Sequence, residues 1–417
     1  MTHPADKVSS VSSSFTPFRL NTTELRNRLV RGSTAECMAD SAGRVTGDLL
    51  RLYRRLAAGG VGLIVTGGAY VHPQGRGYEG CLGVHHDDLV PGLSELVKAV
   101  HQRSTPILLQ LYHSGRQRRP DEGEALAPSP VPDTSTGVVP RALRASEIEE
   151  LVEAFGDAAV RARRAGFDGI QVCACNGHLV HQFLSPYTNR RTDDWGGTPE
   201  KRRRFLLELT RNILERTGDG FIVAVKIAVR DHIRGGLNLP EAIDACRELD
   251  ALGISALEIA AGMYESGYFI ARGDIPMDVL RQLGLMDHLP TGTRISHQIM
   301  ARLVASLTPK RNYLLPYARA VRKAVRTPLM VGGGIRKREV MDRIIDTGQA
   351  DLITLSRPLV REPLLPERLA REERGTATCR SCNRCTILVG AGYPLRCYAG
   401  TDVSRLRRQN RRGRQGP

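Results

Sequence analysis

The alternation of short apolar runs with longer helical patterns most constrains how this chain can fold. Eight apolar runs have the length of buried strands, and each is followed by a helical pattern. The predicted strands span residues 28–32, 62–66, 107–111, 169–173, 222–227, 256–260, 329–332 and 351–355. Such alternation favours a parallel sheet, and eight units favour closure. The predicted fold class is therefore α/β, as a single (β/α)8 TIM barrel with a short C-terminal cysteine-rich extension.

The domain organisation follows from the extent of this alternation. A barrel over residues 15–372 uses most of the 417 residues and is predicted as one domain. Residues 1–14 are rich in serine and are predicted as a disordered tail. Residues 373–400 are predicted as a cysteine-cluster extension, and residues 401–417 as a basic, disordered tail.

Two predicted connections are long for a barrel. One follows the third strand, over residues 115–145, and the other follows the sixth strand, from residue 262 to about 312. Both leave the carboxyl end of a parallel barrel, so they are predicted to lie on the same rim. Long connections in compact domains are usually functional, which favours a lid over a reactive centre rather than decorative insertions.

The net charge of +16 comes mostly from arginine. Arginine is scattered over the predicted helices and is dense only in residues 405–414, which favours a solvated surface over a nucleic-acid site. No window holds about 18 consecutive apolar residues, and the first residues lack the apolar segment of a secretory signal. We therefore expect a soluble, cytoplasmic protein with no membrane partner.

Polar residues follow the fourth predicted strand at the point where it ends. The buried run at 169–173 leads into Cys175, Asn176 and His178. Barrel enzymes carry their chemistry at the carboxyl ends of their strands. The candidate catalytic residues are therefore Cys173, Asn176 and His178.

The residues just beyond this strand end resemble a known family. Segments 181–186 (HQFLSP) and 189–197 (NRRTDDWGG) resemble the old yellow enzyme family of FMN-dependent oxidoreductases. The match is long and contiguous, and the resemblance covers the chain from about residue 15 to residue 372. It implies an FMN-binding TIM barrel that receives hydride from NAD(P)H.

The ends of four strands carry groups that suit the flavin ring. Ser33 and Thr34 follow the first strand and Gly68 follows the second, and all three are small enough for a flat ring to lie against the backbone. Gln110, on the third strand, can both donate to and accept from the pyrimidine edge of a flavin. Lys226, on the fifth strand, carries a positive charge that can stabilise a reduced, anionic flavin.

The last two strand ends suit the phosphate of FMN. Gly333 and Gly334 follow the seventh strand, and Ser356 and Arg357 follow the eighth. The N–H groups of a glycine turn beside a guanidinium make a phosphate site, which barrels commonly place after these two strands. The resemblance implies FMN contacts and their flanks at residues 26–28, Gln110, residues 113–116, Gly333, Gly334, Ser356 and Arg357. It also implies that Lys226 replaces an arginine and Ser356 a glycine of many members.

The resemblance assigns roles to the catalytic candidates. In the family, a His-x-x-Asn/His pair holds the substrate carbonyl oxygen, and a tyrosine two residues on gives a proton to the α-carbon. Cys173, Asn176 and His178 occupy these positions. Asn176 can donate to an oxyanion, Cys173 is a weak donor, and His178 is a plausible general acid because its ordinary pKa is near neutrality. Alternatively, Cys173 is a small core residue and His178 a pocket wall.

Four cysteines follow the predicted barrel with the spacing of a metal site. They are Cys379, Cys382, Cys385 and Cys397. Four thiolates suit an iron–sulfur cluster or a tetrahedral zinc ion, the spacing alone does not choose between them, and unmetallated thiols are the third possibility. Family members that reduce dienoyl thioesters or dehydrogenate trimethylamine bind a [4Fe–4S] cluster with a similar run, including the Cys382–Asn383 pair. The resemblance therefore implies a [4Fe–4S] cluster here.

These features lead to a principal hypothesis and its alternatives. The principal one is an FMN-dependent oxidoreductase that passes hydride from NAD(P)H to an activated C=C bond of a conjugated carbonyl compound. The alternative is an FMN and iron–sulfur dehydrogenase that passes electrons from an amine or other small substrate to a protein carrier. A flavin barrel that modifies tRNA and a flavin protein without turnover are less favoured. The iron–sulfur relatives continue into nucleotide-binding domains, so a separate redox protein partner is expected.

Overall fold

Eight parallel strands close into a barrel in the computed structural model, which describes residues 12–134, 136–284, 310–372, 375–404 and 406. The strands are β1 (Leu29–Arg31), β2 (Leu63–Tyr70), β3 (Ile107–Tyr112), β4 (Gly169–Ala174), β5 (Ile222–Ala228), β6 (Ala256–Ala260), β7 (Leu329–Val331) and β8 (Leu352–Leu355). Consecutive strands pair in parallel, and β1 pairs with both β8 and β2, so the barrel is closed. A ninth, short strand, Leu82–Gly83, pairs in parallel with the end of β2. The predicted TIM barrel and its eight strands are confirmed.

Helices surround the barrel and bury its outer face. They are α1 (Gly47–Ala58), α2 (Val90–His101), α3 (Ala145–Arg164), α4 (Leu179–Leu184), α5 (Pro199–Thr217), α6 (Leu239–Ala251), α7 (Met277–Gln282), α8 (Leu315–Arg322), α9 (Arg338–Asp346), α10 (Arg357–Arg361), α11 (Leu365–Arg371) and α12 (Arg384–Gly390). The side chains of Thr46, Thr198 and Asn238 cap α1, α5 and α6 by accepting backbone N–H bonds. No helix within the described ranges is long and apolar enough to cross a membrane.

A short hairpin closes one end of the barrel and leaves the other end open. Strands Phe18–Leu20 and Thr23–Leu25 pair antiparallel below the barrel. Leu20 and Leu25 are fully buried against inward-facing side chains such as Met330. Because this hairpin fills the barrel at the amino ends of the strands, the carboxyl ends remain available for a ligand site.

Part of the segment that was predicted as a disordered tail, residues 12–14, is packed against the barrel. Residues 1–11 of the predicted disordered tail lie outside the described residues, but Ser13–Phe15 form a 3-10 helix. The backbone N–H and hydroxyl of Ser14 both donate to Asp342 Oδ1, at 2.9 and 2.6 Å. A serine-rich composition therefore did not mean disorder at residues 12–14, because an acidic side chain of α9 satisfies their polar groups.

The cysteine-rich extension packs against the barrel rim. Leu388 of α12 and Tyr398 are buried in one apolar cluster with Val279 of α7. Residues 373–374, 405 and 407–417, which belong to the predicted extension and basic tail, lie outside the described residues. The described part of the extension therefore contacts the long connection that follows β6.

The two long connections meet at the open rim. Arg116, after β3, is fully buried and forms an ion pair with Glu265, after β6. Gln117 Nε2 donates to the carbonyl oxygen of Asn176 at 2.9 Å. Residues 285–309 of the second connection lie outside the described residues. The lid itself stays a prediction, but its two expected parts are in contact.

Candidate active site

A cavity of about 840 Å³ opens at the carboxyl end of the barrel. Its lining includes all nine predicted cofactor residues and all three catalytic candidates. These are Ser33, Thr34, Gly68, Gln110, Lys226, Gly333, Gly334, Ser356 and Arg357, with Cys173, Asn176 and His178. Of residues 26–28 and 113–116, which the resemblance also implied as FMN contacts and their flanks, only Ser114 lines the cavity. Residues 26–28 precede β1, at the amino end of the barrel. Residues that are far apart in the sequence are thus brought to one space by the closure of the sheet.

A chain of hydrogen bonds crosses the bottom of this cavity. The Ser33 hydroxyl donates to Gln110 Oε1, and Gln110 Nε2 donates to Gln171 Oε1, both at 2.8 Å. Gln171 Nε2 then donates to Glu258 Oε2 at 2.8 Å. An amide has two N–H donors and two acceptor lone pairs, so Gln110 keeps one of each for a ligand.

Lys226 is not the isolated positive charge that the sequence suggested. Its Nζ lies 2.8 Å from Glu258 Oε1, and the two side chains are 13% and 4% exposed. Burial opposes the charged form of Lys226, but Glu258 and two nearby thiols outweigh burial and raise the pKa of the ammonium. Lys226 is therefore protonated at neutral pH, while Glu258 offsets part of its field.

Glycines let the backbone approach closely at the phosphate end. A Cβ on Gly32 would lie 2.2 Å from Thr354 Cγ2 and 3.0 Å from Ser356 Oγ. Gly333 and Gly334 both have a φ of +85°, a left-handed conformation that favours glycine. The backbone after β1 and β7 therefore lies so close to neighbouring parts of the chain that a Cβ at Gly32, Gly333 or Gly334 would clash with them.

Two arginines reach this end of the cavity. Arg357 donates to the side-chain oxygen of Asn383. Arg336, which the sequence reasoning missed, follows the glycine turn and donates to the carbonyl oxygen of Cys379 and the hydroxyl of Ser381. Burial lowers the pKa of Arg336, and its Nε is buried with no partner among the described residues. Both guanidinium groups therefore link the cavity to the cysteine-rich extension.

The lining fits the chemistry of FMN. The hydroxyls of Thr34 and Thr354 are buried without a hydrogen-bond partner in the described part of the chain, as is Arg336 Nε. Buried polar groups normally have partners, so these atoms indicate a polar ligand. Two guanidinium groups beside a glycine turn suit its phosphate, and Gln110 suits its pyrimidine ring.

His178 also lines the cavity and is neutral at pH 7. Its ring meets Tyr112 edge-on, with centroids 5.2 Å apart, and its Nδ1 is buried with no partner in the described ranges. Burial, and to a lesser degree the neighbouring His181, lower the pKa of His178 to about 4. In the fold His178 is therefore neutral at pH 7, and the general-acid role that its ordinary pKa suggested stays a prediction.

His181 fixes the loop that carries the catalytic candidates. Its Nε2 lies 2.7 Å from Asp231 Oδ1, and its Nδ1 accepts the N–H of Gly177 at 2.8 Å. Asn176, one residue earlier, has a φ of +59°, a conformation that asparagine tolerates better than most residues. Since both ring nitrogens are occupied, His181 is a positioning residue.

Tyrosines near His178 escaped the sequence reasoning. Tyr78, Tyr112 and Tyr264 line the same cavity, and Tyr264 lies 6.3 Å from His178 between ring centroids. Burial raises the pKa of Tyr78 and Tyr112, so both keep their protons at neutral pH. Tyr112 directly follows the third predicted strand, so its place at the rim could have been predicted. Tyr264 lies in a long connection, where the sequence does not predict the position of a residue.

The sequence also contained a sign of two polar residues that were not predicted, an acid and an amide in buried strands. Glu258 and Gln171 are single polar residues within the otherwise apolar strands β6 and β4, and both are buried. A polar residue inside a buried strand needs a partner, so such an interruption points to a polar network. Arg336 had no comparable signal beyond following the glycine turn.

The four cysteines of the extension line a second, small cavity beside the first. They are Cys379, Cys382, Cys385 and Cys397. Arg361 Nη1 donates to Cys397 Sγ at 3.5 Å. In the described ranges, no group of three or more His, Cys, Asp or Glu side chains is placed to hold one metal ion. Arg357, Val360 and Cys385 line both cavities, so the two spaces adjoin.

Comparison with known proteins agrees with this geometry. The NADH:flavin oxidoreductase / NADH oxidase family model matches residues 13–265. The NADH oxidase of Thermoanaerobacter brockii is 34% identical over 375 residues, which are 88% of this chain and 52% of that protein.

Solved structures resemble the whole barrel. A 2-naphthoyl-CoA reductase bound to 2-naphthoyl-CoA has a TM-score of 0.80 and 25% identity, covering 93% of this chain and 56% of that one. The old yellow enzyme homologue of Zymomonas mobilis has a TM-score of 0.70 and 25% identity, covering 88% and 95%. This chain spans about half the length of both the NADH oxidase and the 2-naphthoyl-CoA reductase. The chain belongs to the NADH:flavin oxidoreductase / NADH oxidase family, the old yellow enzyme family of oxidoreductases.

Proposed function

We propose that this protein uses FMN to pass hydride from NAD(P)H to the activated C=C bond of a conjugated carbonyl compound. The observation that supports this proposal is that nine predicted cofactor residues and the three catalytic candidates line one cavity. FMN bound there would supply a two-electron carrier between the nicotinamide and the alkene. No dinucleotide fingerprint follows a strand, so the nicotinamide docks transiently.

The residues around the ring would hold and tune the flavin. Ser33, Thr34 and Gly68 provide a flat surface, and Gln110 offers one free donor and one free acceptor. Lys226 supplies positive charge to the reduced, anionic form, in an amount limited by its ion pair with Glu258. Gly333, Gly334, Ser356 and Arg357 would bind the phosphate, with Arg336 as an added donor.

The residues at the other end would act on the substrate. The amide of Asn176 donates to the carbonyl oxygen as negative charge develops on it. The neutral imidazole of His178 provides a second N–H, a role that neutral histidine fills in other enzymes. Cys173 adds no effective donor there, because S–H is a weak donor and the pKa of this thiol is lowered toward the thiolate. A conjugated thioester is a suitable substrate class, given the resemblance to a 2-naphthoyl-CoA reductase.

We further propose that the four cysteines of the extension bind a [4Fe–4S] cluster. All four line one cavity that adjoins the proposed flavin site. Arg361, and the other guanidinium groups around this cavity, suit an anionic cluster of thiolate ligands. Exposed Arg361 and Arg380 would also attract an acidic redox protein, whose reduction rate should fall as salt rises.

The central experiment is anaerobic reduction of protein reconstituted with FMN. NADH or NADPH should bleach the flavin absorbance, and cyclohex-2-enone or a dienoyl thioester should restore it. His178→Phe should leave the bleaching intact and slow the restoration. Protein that remains colourless after reconstitution would refute the proposal, and an equal loss of both half-reactions would remove His178 from the substrate end.

The cluster is tested separately by iron and acid-labile sulfide analysis with electron paramagnetic resonance of the reduced protein. Cys382→Ser should lose most of the iron, while the matched control Cys246→Ser, buried in α6, should keep it. Stoichiometric zinc without iron in the native protein would contradict the cluster.

A further inference from the structure

Two thiols contact each other where the fourth strand ends. Cys173 lies next to the last residue of β4 and pairs in register with Lys226 of β5. Cys175 follows one residue after the strand. The two sulfur atoms are 3.8 Å apart, and both side chains are buried, at 3% and 0% exposure. Cys173 lines the same cavity as the proposed flavin contacts.

Two adjacent thiols can be oxidised to a disulfide, a reaction that hydride transfer to an alkene does not require. A thiol is a weak hydrogen-bond donor, so stabilising a carbonyl oxygen gives no reason for a second thiol behind the first. Two adjacent thiols, however, can lose two electrons and form a disulfide. Reduced flavin and a dithiol each carry two electrons, so the two centres match in electron number.

The geometry allows a disulfide to form. Residues two apart have Cα atoms at most about 7 Å apart, near the upper limit for disulfides. Closing the sulfur atoms from 3.8 Å to bonding distance needs side-chain rotation and a small backbone shift. Cys175 is outside the β4 ladder and precedes Asn176 and Gly177, which have φ of +59° and +82°. Asn176 forms an isolated parallel bridge with Met263, so the shift falls on Cys175, which lies between this bridge and the β4 ladder and belongs to neither.

The surroundings also favour ionisation of one thiol. The S–H of Cys175, and to a lesser degree the charge of Lys226, lower the pKa of Cys173 against the effect of burial. The thiolate is the form that attacks in thiol–disulfide chemistry. The pair therefore has a preferred nucleophile, Cys173, beside the open cavity.

We propose that Cys173 and Cys175 form a redox-active dithiol that exchanges two electrons reversibly with the flavin. The inference rests on FMN binding in the proposed function, and it adds a second two-electron centre to the site. In the oxidising direction, two S–H bonds break and one S–S bond forms. Oxidised flavin takes both electrons and one proton, and the second proton passes to solvent. The reverse reaction returns the thiols and oxidised flavin.

The pair can be followed in one tryptic peptide. Cleavage after Arg164 and Arg190 gives residues 165–190, which contain no other cysteine. Protein loaded with FMN is poised anaerobically at a series of potentials, quenched in acid and alkylated before mass spectrometry. We expect a disulfide peptide, lighter by two hydrogens than the dithiol, to appear at potentials where the flavin is oxidised. Anaerobic titration with dithionite should consume two electrons fewer in Cys175→Ser than in the wild type and in the control Cys246→Ser.

A peptide that stays in the dithiol form throughout, or equal electron uptake by the wild type and Cys175→Ser, would overturn the inference. Protein without FMN supplies an independent readout, because oxidised glutathione should convert the same peptide to the disulfide. If the disulfide forms there but FMN never binds, the proposed function fails while the dithiol remains. If NADH bleaches bound FMN and the peptide never oxidises, the dithiol alone is refuted.

Discussion

Burial of His178 makes a quantitative prediction about acid stability. Its pKa is 6.5 in an ordinary environment and about 4 in the fold, so the unfolded chain binds a proton between these values that the folded chain does not. Stability is therefore unaffected above pH 6.5 and falls as pH drops toward 4. At 1.36 kcal/mol per pKa unit, the loss is about 2 kcal/mol at pH 5 and about 3 kcal/mol at pH 4, and it approaches its limit of about 3.4 kcal/mol only below pH 4.

The perturbation is His178→Gln, which removes the titrating ring and keeps a polar side chain of similar size. Urea unfolding followed by circular dichroism gives the free energy of unfolding at pH 7.5 and 5.0. The variant should lose about 2 kcal/mol less than the wild type between these pH values. His86→Gln, at an exposed imidazole, is the matched control and should behave as the wild type.

The lowered pKa of His178 also predicts how the rate of catalysis depends on pH. A neutral His178 predicts that the rate of flavin reoxidation by an enone is independent of this residue's titration from pH 5.5 to 8. An acid limb with an apparent pKa near 6.5 that disappears in His178→Gln would refute the reasoning. So would an equal loss of stability at pH 5 in the wild type and this variant, because burial of the imidazole would then carry no cost.

Three further perturbations follow from the charges around the cavity. Glu258→Gln leaves Lys226 without its counter-charge, so the reduction potential of bound FMN should rise, as measured by equilibration with redox dyes; an unchanged potential would show that Lys226 does not act on the flavin. Arg336→Met should weaken FMN binding about tenfold or more in a fluorescence titration, and unaltered affinity would remove it from the phosphate site. Glu265→Gln leaves Arg116 buried without its carboxylate and should cost about 3–5 kcal/mol in urea unfolding, whereas a loss below about 1 kcal/mol would contradict the ion pair.

The residues at the strand ends could be predicted from the sequence because closure of the barrel brings these residues together at one rim. Each buried run shows where a strand ends, and closure brings all the ends to one rim. Ser33, Gln110 and Gly333 could therefore be assigned to one space without any knowledge of distances. The same logic would have found Glu258, since an acid within the apolar run at 256–260 requires a buried partner.

Other features depend on three-dimensional packing that sequence spacing does not encode. The pKa of His178 is set by how completely neighbouring elements exclude water, and an isolated sequence position gives only its ordinary value. Arg336 reaches the cavity through a loop whose direction is fixed by contacts with the cysteine-rich extension. The ordering of Ser14 likewise comes from a single carboxylate, Asp342, which is distant in sequence.

In the proposed function, uncharged groups would stabilise the charge that develops on the substrate. Asn176 would donate an amide N–H, and His178 is neutral at pH 7, so neither would provide the charge-assisted hydrogen bond that is about twice as strong as a neutral one. The ammonium of Lys226 is offset by Glu258. Because the protein contributes less to activating the carbonyl, the substrate must contribute more, and this favours strongly electron-poor alkenes such as extended conjugated thioesters over simple enones.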